Sequence, residues 1–144
     1  VFLLGARPGV AERAAAKLKE RNPRLKVAGT YAGSPREEEA REIVARINAA
    51  DPAILFVAYG SPVQELWIAR HLNALTGVKV AMGVGGAFDF VAGERKRAPL
   101  FLQRVGLEWV WRLVREPWRV KRIWNAVAVF PSLVLRYGRG SPGT

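Results

Sequence analysis

The sequence predicts an α/β fold built on a parallel sheet with flanking helices, followed by a basic helical C-terminal appendage. Three observations predict it. Short apolar runs alternate with amphipathic helical segments from residue 1 to about residue 98, the order expected of a β-α-β-α-β-α-β chain. One run, "AILFVAYG" (53–60), is apolar on both faces, as the central strand of a parallel sheet is. The charge is also uneven: residues 1–94 carry 12 Lys/Arg against 10 Asp/Glu, and residues 95–144 carry 11 against 2. The division expected is therefore 1–98 for the sheet unit and 99–144 for the appendage.

The elements follow in order. "VFLLG" (1–5) is a buried strand closed by a Gly/Pro turn. Pro8 to Glu20 is alanine-rich, with Ala11, Ala14, Ala15 and Leu18 at helical spacing. Asn22-Pro23 stops that helix, and a short strand is expected over Leu25–Gly29. Ser34 reads as a helix N-cap, Pro35 as the first helical residue and the glutamates after it as the acidic first turn. That helix is expected to reach about Ala50, with Ile43, Val44 and Ile47 facing inward. After the strand at 53–60, "SPVQELWIARHLNAL" (61–75) is a helix opened by Ser-Pro, and "VKVAMGVGG" (78–86) is the next strand. Ligands of such sheets lie at the carboxyl ends of the strands. Here those ends are Gly5-Ala6-Arg7, Thr30 to Ser34, Tyr59-Gly60-Ser61 and Gly83 to Asp89.

Composition removes several chemistries. The chain has no cysteine and a single histidine, His71. A disulfide framework, a thiol nucleophile and a Cys or multi-His metal site are therefore excluded, and no metal or cofactor is expected. "VFLLGARPG" (1–9) lacks the basic region and cleavage site of a signal peptide. A strand already under way at residue 1 reads as a chain cut from something longer. His71, in mid-helix with no carboxylate partner nearby in sequence, reads as a packing residue.

Two stretches carry candidate chemistry, each with two readings. In "GVGGAFDFVAGERKRAP" (83–99), Gly83, Gly85 and Gly86 serve either a tight turn or the close approach of a ligand to bare backbone. The stretch matches neither a dinucleotide fingerprint nor a P-loop, and it opens no obvious helix. Asp89 either caps the following turn or accepts from a base or ribose. Phe88 is either core or a stacking face. Arg95, Lys96 and Arg97 form either a solvated run or a reach toward a diphosphate. In "YGSPVQELW" (59–67), Gln64 or Glu65 either closes a capping box on the Ser61 backbone or faces a phosphate or sugar from the helix N-terminus.

Beyond Pro99, Arg112, Arg115, Arg119 and Arg122 step by helical intervals onto one side, with Trp111 and Trp118 bordering it. Either this is a solvated face over core tryptophans, or arginines meet anionic headgroups while the aromatics enter the boundary layer. No run reaches the ~18 apolar residues of a membrane span. Nucleic acid is disfavoured as the polyanion, because the charge lies outside the α/β part and no reader motif is present.

"LLGARPGVAE", "AILFVAYGSPVQELW", "GVGGAFDFVAGERKRAP" and "GLEWVWRLVREPWR" occur in this order. Together they resemble the WecG/TagA/CpsF glycosyltransferase family (glycosyltransferase family 26), whose members include N-acetylmannosaminyltransferases of wall teichoic acid synthesis. The resemblance runs to about Arg122 and is to the C-terminal portion of such enzymes. It implies a Rossmann-like fold. It also implies inverting transfer of an N-acetylmannosamine-type sugar from a UDP-sugar to a polyprenyl-diphosphate-linked sugar in cell-surface polymer synthesis. The expected place is cytoplasmic, peripheral on the inner face of the bacterial plasma membrane.

By this resemblance the donor-binding residues are Gly5, Tyr59, Gly60, Gln64, Gly83, Gly85, Gly86, Phe88, Asp89 and Arg97, with Asp89 near the nucleoside. Arg112, Arg115, Arg119 and Arg122 are assigned to the acceptor diphosphate or to an anionic membrane surface. The implied partners are thus a UDP-sugar donor, a polyprenyl-diphosphate-linked acceptor and anionic lipid. Nucleic acid is not among them, and homo-oligomerisation is left open. There are departures. Val63 stands where the family's "GSPKQE" has a basic residue, the turn after the second strand reads "YAGSP", and the last residues are more apolar than the family pattern. The family's proposed catalytic Asp belongs to a half with no counterpart here, so the base is expected upstream of residue 1. The rival reading is a non-catalytic nucleotide- or polyanion-binding module.

Overall fold

The computed structural model of the chain describes residues 1–94 and Arg104. The described part is β1 (Phe2–Gly5), α1 (Val10–Arg21), β2 (Gly29–Tyr31), α2 (Glu37–Ala50), β3 (Ile54–Ala58), α3 (Val63–His71), a short 3-10 turn over Leu72–Ala74, β4 (Val80–Gly83) and α4 (Ala87–Ala92). The four strands form one parallel sheet in the order β2-β1-β3-β4. The fold is the α/β class that the alternation predicts.

The register explains the core. Phe2, Leu4, Leu55 and Val57 point to one face of the sheet, where they meet Ile43 and Ile47 of α2, Trp67 of α3 and Leu75. Leu3 and Ala58 point to the other face and meet Val10, Ala11, Ala14 and Ala15 of α1 and Phe88 and Ala92 of α4. Leu3, Leu4, Leu55 and Val57 are fully buried, each worth about 1.5–3 kcal/mol over the exposed state. The alanine stripe of α1 has no bulk to hold a neighbour off, so α4 closes on it through Phe88 and Ala92. The inward faces of α1 and α2 are those expected: Leu18 and Val44 lie partly buried against the same clusters.

Three local differences have physical causes. The second strand is Gly29–Tyr31, not Leu25–Gly29. Pairing with β1 sets its position: the Ala28 N–H donates to the Val1 carbonyl and the ladder begins at Phe2 opposite Gly29. Leu25 instead turns back, its N–H donating to the Asn22 carbonyl.

Helix α2 starts at Glu37 with Arg36 as its N-cap, so Ser34 and Pro35 precede the helix. Ser34 still ties down the entry. Its backbone N–H and hydroxyl both donate to the Glu39 carboxylate, at 3.0 and 2.7 Å, a capping-box exchange displaced outward.

The stretch after Gly86 forms α4, where the sequence suggests no helix. Burial of Phe88 and Ala92, four residues apart on one face, holds it against α1, and Gly93 in the left-handed region ends it.

Candidate functional site: the strand-end loops

From β1 the chain crosses to β2 on one side, and β3 then joins β1 on the other. Such a reversal opens a crevice beyond the carboxyl ends of the two central strands. Here those ends are Gly5 and Ala58, paired in register, with the Ala6 N–H donating to the Ala58 carbonyl at 3.1 Å. Gly5 has φ +97°, and a Cβ there would stand 2.9 Å from the Ala58 carbonyl carbon. Only glycine fits both the dihedral and the approach. Ala6 follows with φ 65°, a left-handed conformation that costs a non-glycine residue energy. The tight backbone keeps the two loops side by side at the mouth.

Gln64, in the first turn of α3, is the buried polar side chain of the described core, at 4% exposure. Its Oε1 accepts from the Gly60 N–H at 3.2 Å and from the Gly85 N–H at 2.9 Å. Its Nε2 donates to Glu65 at 2.9 Å. Helix α3 has no side-chain N-cap bond; Gln64 instead reaches back to the Gly60 N–H and across to a second loop at Gly85. Glycine at 83 makes room for it: a Cβ there would lie 2.6 Å from Gln64 Nε2 and 2.8 Å from its Cδ and Cγ. At Gly83, then, the close approach is to Gln64. Around Gly60 no atom of the described residues comes within 4 Å of where a Cβ would sit, so within the described residues this turn is uncrowded.

Asp89 lies in the first turn of α4 with its side chain 14% exposed, and Arg7 reaches it from the β1–α1 loop at 3.3 Å. Glu94 joins them, 3.8 Å from Arg7 and 2.9 Å from Arg13 of α1. Asp89 of α4 and Glu94 just beyond its end are thus strapped to the loop and helix that follow β1. Arg7 was legible only as part of a strand end. Its role appears when the fold brings residue 89 to it, and the one sequence signal is its place in a strand-to-helix loop.

Tyr59 leans on the first core cluster, its ring edge-on to Trp67 at 5.9 Å. Its hydroxyl is buried, with no hydrogen-bond partner among the described residues. Burial, with lesser contributions from Glu39 and Tyr31, pushes its ionisation well above the ordinary phenol range. His71 packs against Trp67 at 4.8 Å, and its Nε2 lies 3.8 Å from Glu37. It is a packing residue, with a carboxylate supplied by α2 rather than by sequence neighbours.

The structure therefore gathers Gly5, Tyr59, Gly60, Gln64, Gly83, Gly85, Gly86 and Asp89 at the carboxyl end of the sheet. Of the two readings of Phe88 it places the ring in the core, 4% exposed. Arg97, Arg112, Arg115, Arg119 and Arg122 lie outside the described residues. Among the described residues no group of three or more His, Cys, Asp or Glu stands together as a metal site, and no helix is long and apolar enough to cross a membrane.

What the mouth offers chemically is an exposed guanidinium and a carboxylate beside glycine-rich loop backbone. These groups suit an anionic ligand that also carries hydroxyl or base donors. Comparison with known sequences sets this geometry in a family. The model of the WecG/TagA/CpsF family of glycosyl transferases matches residues 1–143. The chain belongs to this family. Within it, the chain is 39% identical over 124 residues to an N-acetylglucosaminyldiphosphoundecaprenol N-acetyl-beta-D-mannosaminyltransferase of Bacillus subtilis strain 168. The match covers 85% of this chain and 47% of that enzyme, so the chain spans about half the length of its relative.

Proposed function

We propose that this chain carries the donor-binding half of an inverting glycosyltransferase. It would move an N-acetylmannosamine-type sugar from a UDP-sugar to a polyprenyl-diphosphate-linked sugar during cell-surface polymer synthesis. The observation that carries this reading is the 39% identity to an enzyme named for transfer of N-acetylmannosamine to a diphosphoundecaprenol-linked sugar. The geometry supports it. An inverting displacement leaves UDP with a growing negative charge, which preorganised N–H dipoles and cations stabilise. The crevice between β1 and β3 has Arg7 at one side, 68% exposed along its side chain, and the start of α1 beside it.

In this reading the Gly5–Arg7 and Gly83–Asp89 loops flank the nucleotide, with Asp89 accepting from the nucleoside. The arginines at 112, 115, 119 and 122 meet the acceptor diphosphate or anionic lipid, and the protein works peripherally on the inner face of the plasma membrane. Residues 1–98 form the donor unit and 99–144 the basic appendage.

Deprotonating the acceptor hydroxyl also needs a base. Glu65 already accepts from Gln64 and Asp89 from Arg7, so both fit holding roles better than proton abstraction. This engagement of both carboxylates favours the second reading, a nucleotide-binding module that does no chemistry by itself.

Calorimetric titration of the 144-residue chain with UDP, followed by a transfer assay with UDP-N-acetylmannosamine and a lipid-diphosphate N-acetylglucosamine acceptor, separates the two. Binding with transfer supports the enzyme, and binding without transfer supports the module. No binding by the folded chain would overturn both.

A further inference from the structure

We propose that Gln64 is a positioning residue. It would lock the β3–α3 loop to the β4–α4 loop and leave contact with the nucleotide to the loop backbones. The part of this inference that concerns nucleotide rests on the function proposed above; the lock itself does not.

The hydrogen bonds carry the argument. A carboxamide oxygen has two acceptor sites. On Gln64 both are occupied, by N–H groups that lie on opposite sides of the residue in sequence, Gly60 and Gly85. The amide nitrogen is turned to Glu65. The side chain is almost completely buried and wedged against Gly83, whose missing Cβ is what admits it. The backbone closes the same ring a second time, the Gln64 N–H donating to the Gly60 carbonyl at 3.0 Å. A side chain held this way has little left with which to recognise a sugar, but it fixes the spacing of two loops that flank one crevice.

The lock can be made to depend on a proton. In Gln64→Glu, one carboxyl oxygen still accepts from Gly60 and Gly85, while the other replaces the amide nitrogen against the Glu65 carboxylate. Two facing carboxylates share a proton, and the pair's upper apparent pKa rises above the ordinary glutamate value. Among the described residues the charged group on the β4–α4 side is Asp89, beside Gly86 and held by Arg7. With the proton present the variant reproduces the wild-type bonding. Once it is lost the carboxylates repel and the loops part. The native state of the variant then binds the proton more tightly than the unfolded chain does, so the variant's stability falls as pH rises through that range.

The test measures residue-resolved amide exchange at Gly60 and Gly85 in the 144-residue chain without nucleotide, across pH, each rate referred to its intrinsic value. UDP titration of wild type and variants at matched pH then follows. In Gln64→Ala both amides should exchange about tenfold faster or more. Gln64→Glu should match wild type at acid pH and Gln64→Ala above the break, whereas wild type shows no break. If Gln64→Ala does not fold, the acid and neutral arms of Gln64→Glu decide alone.

Unchanged protection in Gln64→Ala, or no break in Gln64→Glu, overturns the proposal. So does acid-form Gln64→Glu with protected loops but UDP affinity more than about tenfold below wild type at the same pH, because Gln64 would then touch the ligand. Loops that behave as expected in a wild-type chain that binds no UDP would confirm the lock and sink the nucleotide reading instead.

Discussion

Arg7 and Asp89, 82 residues apart in the chain, meet at 3.3 Å across the mouth of the sheet. The contact joins the first strand-to-helix loop to the last described helix. Arg7 is largely exposed, so the pair adds at most about 1 kcal/mol to stability. Its arrangement matters more than its strength, because it presents a cation and an acid together beside the crevice.

Asp89→Ala should therefore separate folding from binding. The midpoint of thermal unfolding is expected to move little, since the Arg7 end of the pair is largely exposed and an ion pair screened at one end contributes little. UDP affinity is expected to fall about tenfold or more, as a charge-assisted hydrogen bond is lost. Calorimetry and a thermal melt on the same preparation check both. Unchanged affinity would remove Asp89 from the site.

Gly5→Ala should act in the opposite way, on the fold first. The substitution forces φ +97° on an L-residue and drives its Cβ to 2.9 Å from the Ala58 carbonyl carbon. A loss of at least about 2 kcal/mol is expected from the dihedral and the steric conflict together. Urea denaturation at equilibrium measures it. A loss within about 0.5 kcal/mol, the range of a neutral surface change, would contradict the strain argument.

Tyr59→Phe should be neutral or stabilising by up to about 1 kcal/mol, because the hydroxyl it removes is buried and has no partner among the described residues. The pH dependence gives a second check. Burial holds the phenol protonated in the folded chain above its ordinary value of 10.0. The unfolded chain therefore releases that proton first as pH rises, and stability declines above about pH 10. The decline should be shallower in Tyr59→Phe, read from denaturation midpoints across alkaline pH.

Reversing Arg115 and Arg119 to Glu should abolish binding to anionic vesicles, each near-surface arginine contributing about 1 kcal/mol. Co-sedimentation with phosphatidylglycerol vesicles at two salt concentrations tests this. Retained binding would place the membrane contact elsewhere. A DNA arm at matched salt should show weaker binding than the lipid arm.

The sequence made the layered plan legible because burial leaves a period. The both-face apolarity of β3 and the inward row Ile43, Val44 and Ile47 of α2 are local facts that one packed arrangement satisfies. What it hid was tertiary. The position of β2 follows from its ladder with β1, not from the apolar residues Leu25 and Val27. Helix α4 is short, glycine-opened and aromatic, and it is held by the alanine face of α1 far upstream. Alternation alone placed the ends of β1, β3 and β4, whereas Thr30 and Tyr31, read as lying beyond the second strand, belong to β2. Gln64 could be placed in a first turn, but its second acceptor contact lies 21 residues away and no local pattern encodes it. Arg7 and Asp89 show the same limit over a longer span.

The contact between Gly83 and Gln64 also bears on descent. A side chain at 83 and a long amide at 64 compete for one volume. The two positions are therefore not free to drift separately. A lineage that shortens residue 64 releases 83 from glycine, and a lineage that fills 83 must first give up the amide. Glycine at 83 can outlast the amide, but the amide cannot outlast the glycine, and a sequence with a side chain at 83 and glutamine still at 64 marks a protein whose two loops have found a different way to stay together.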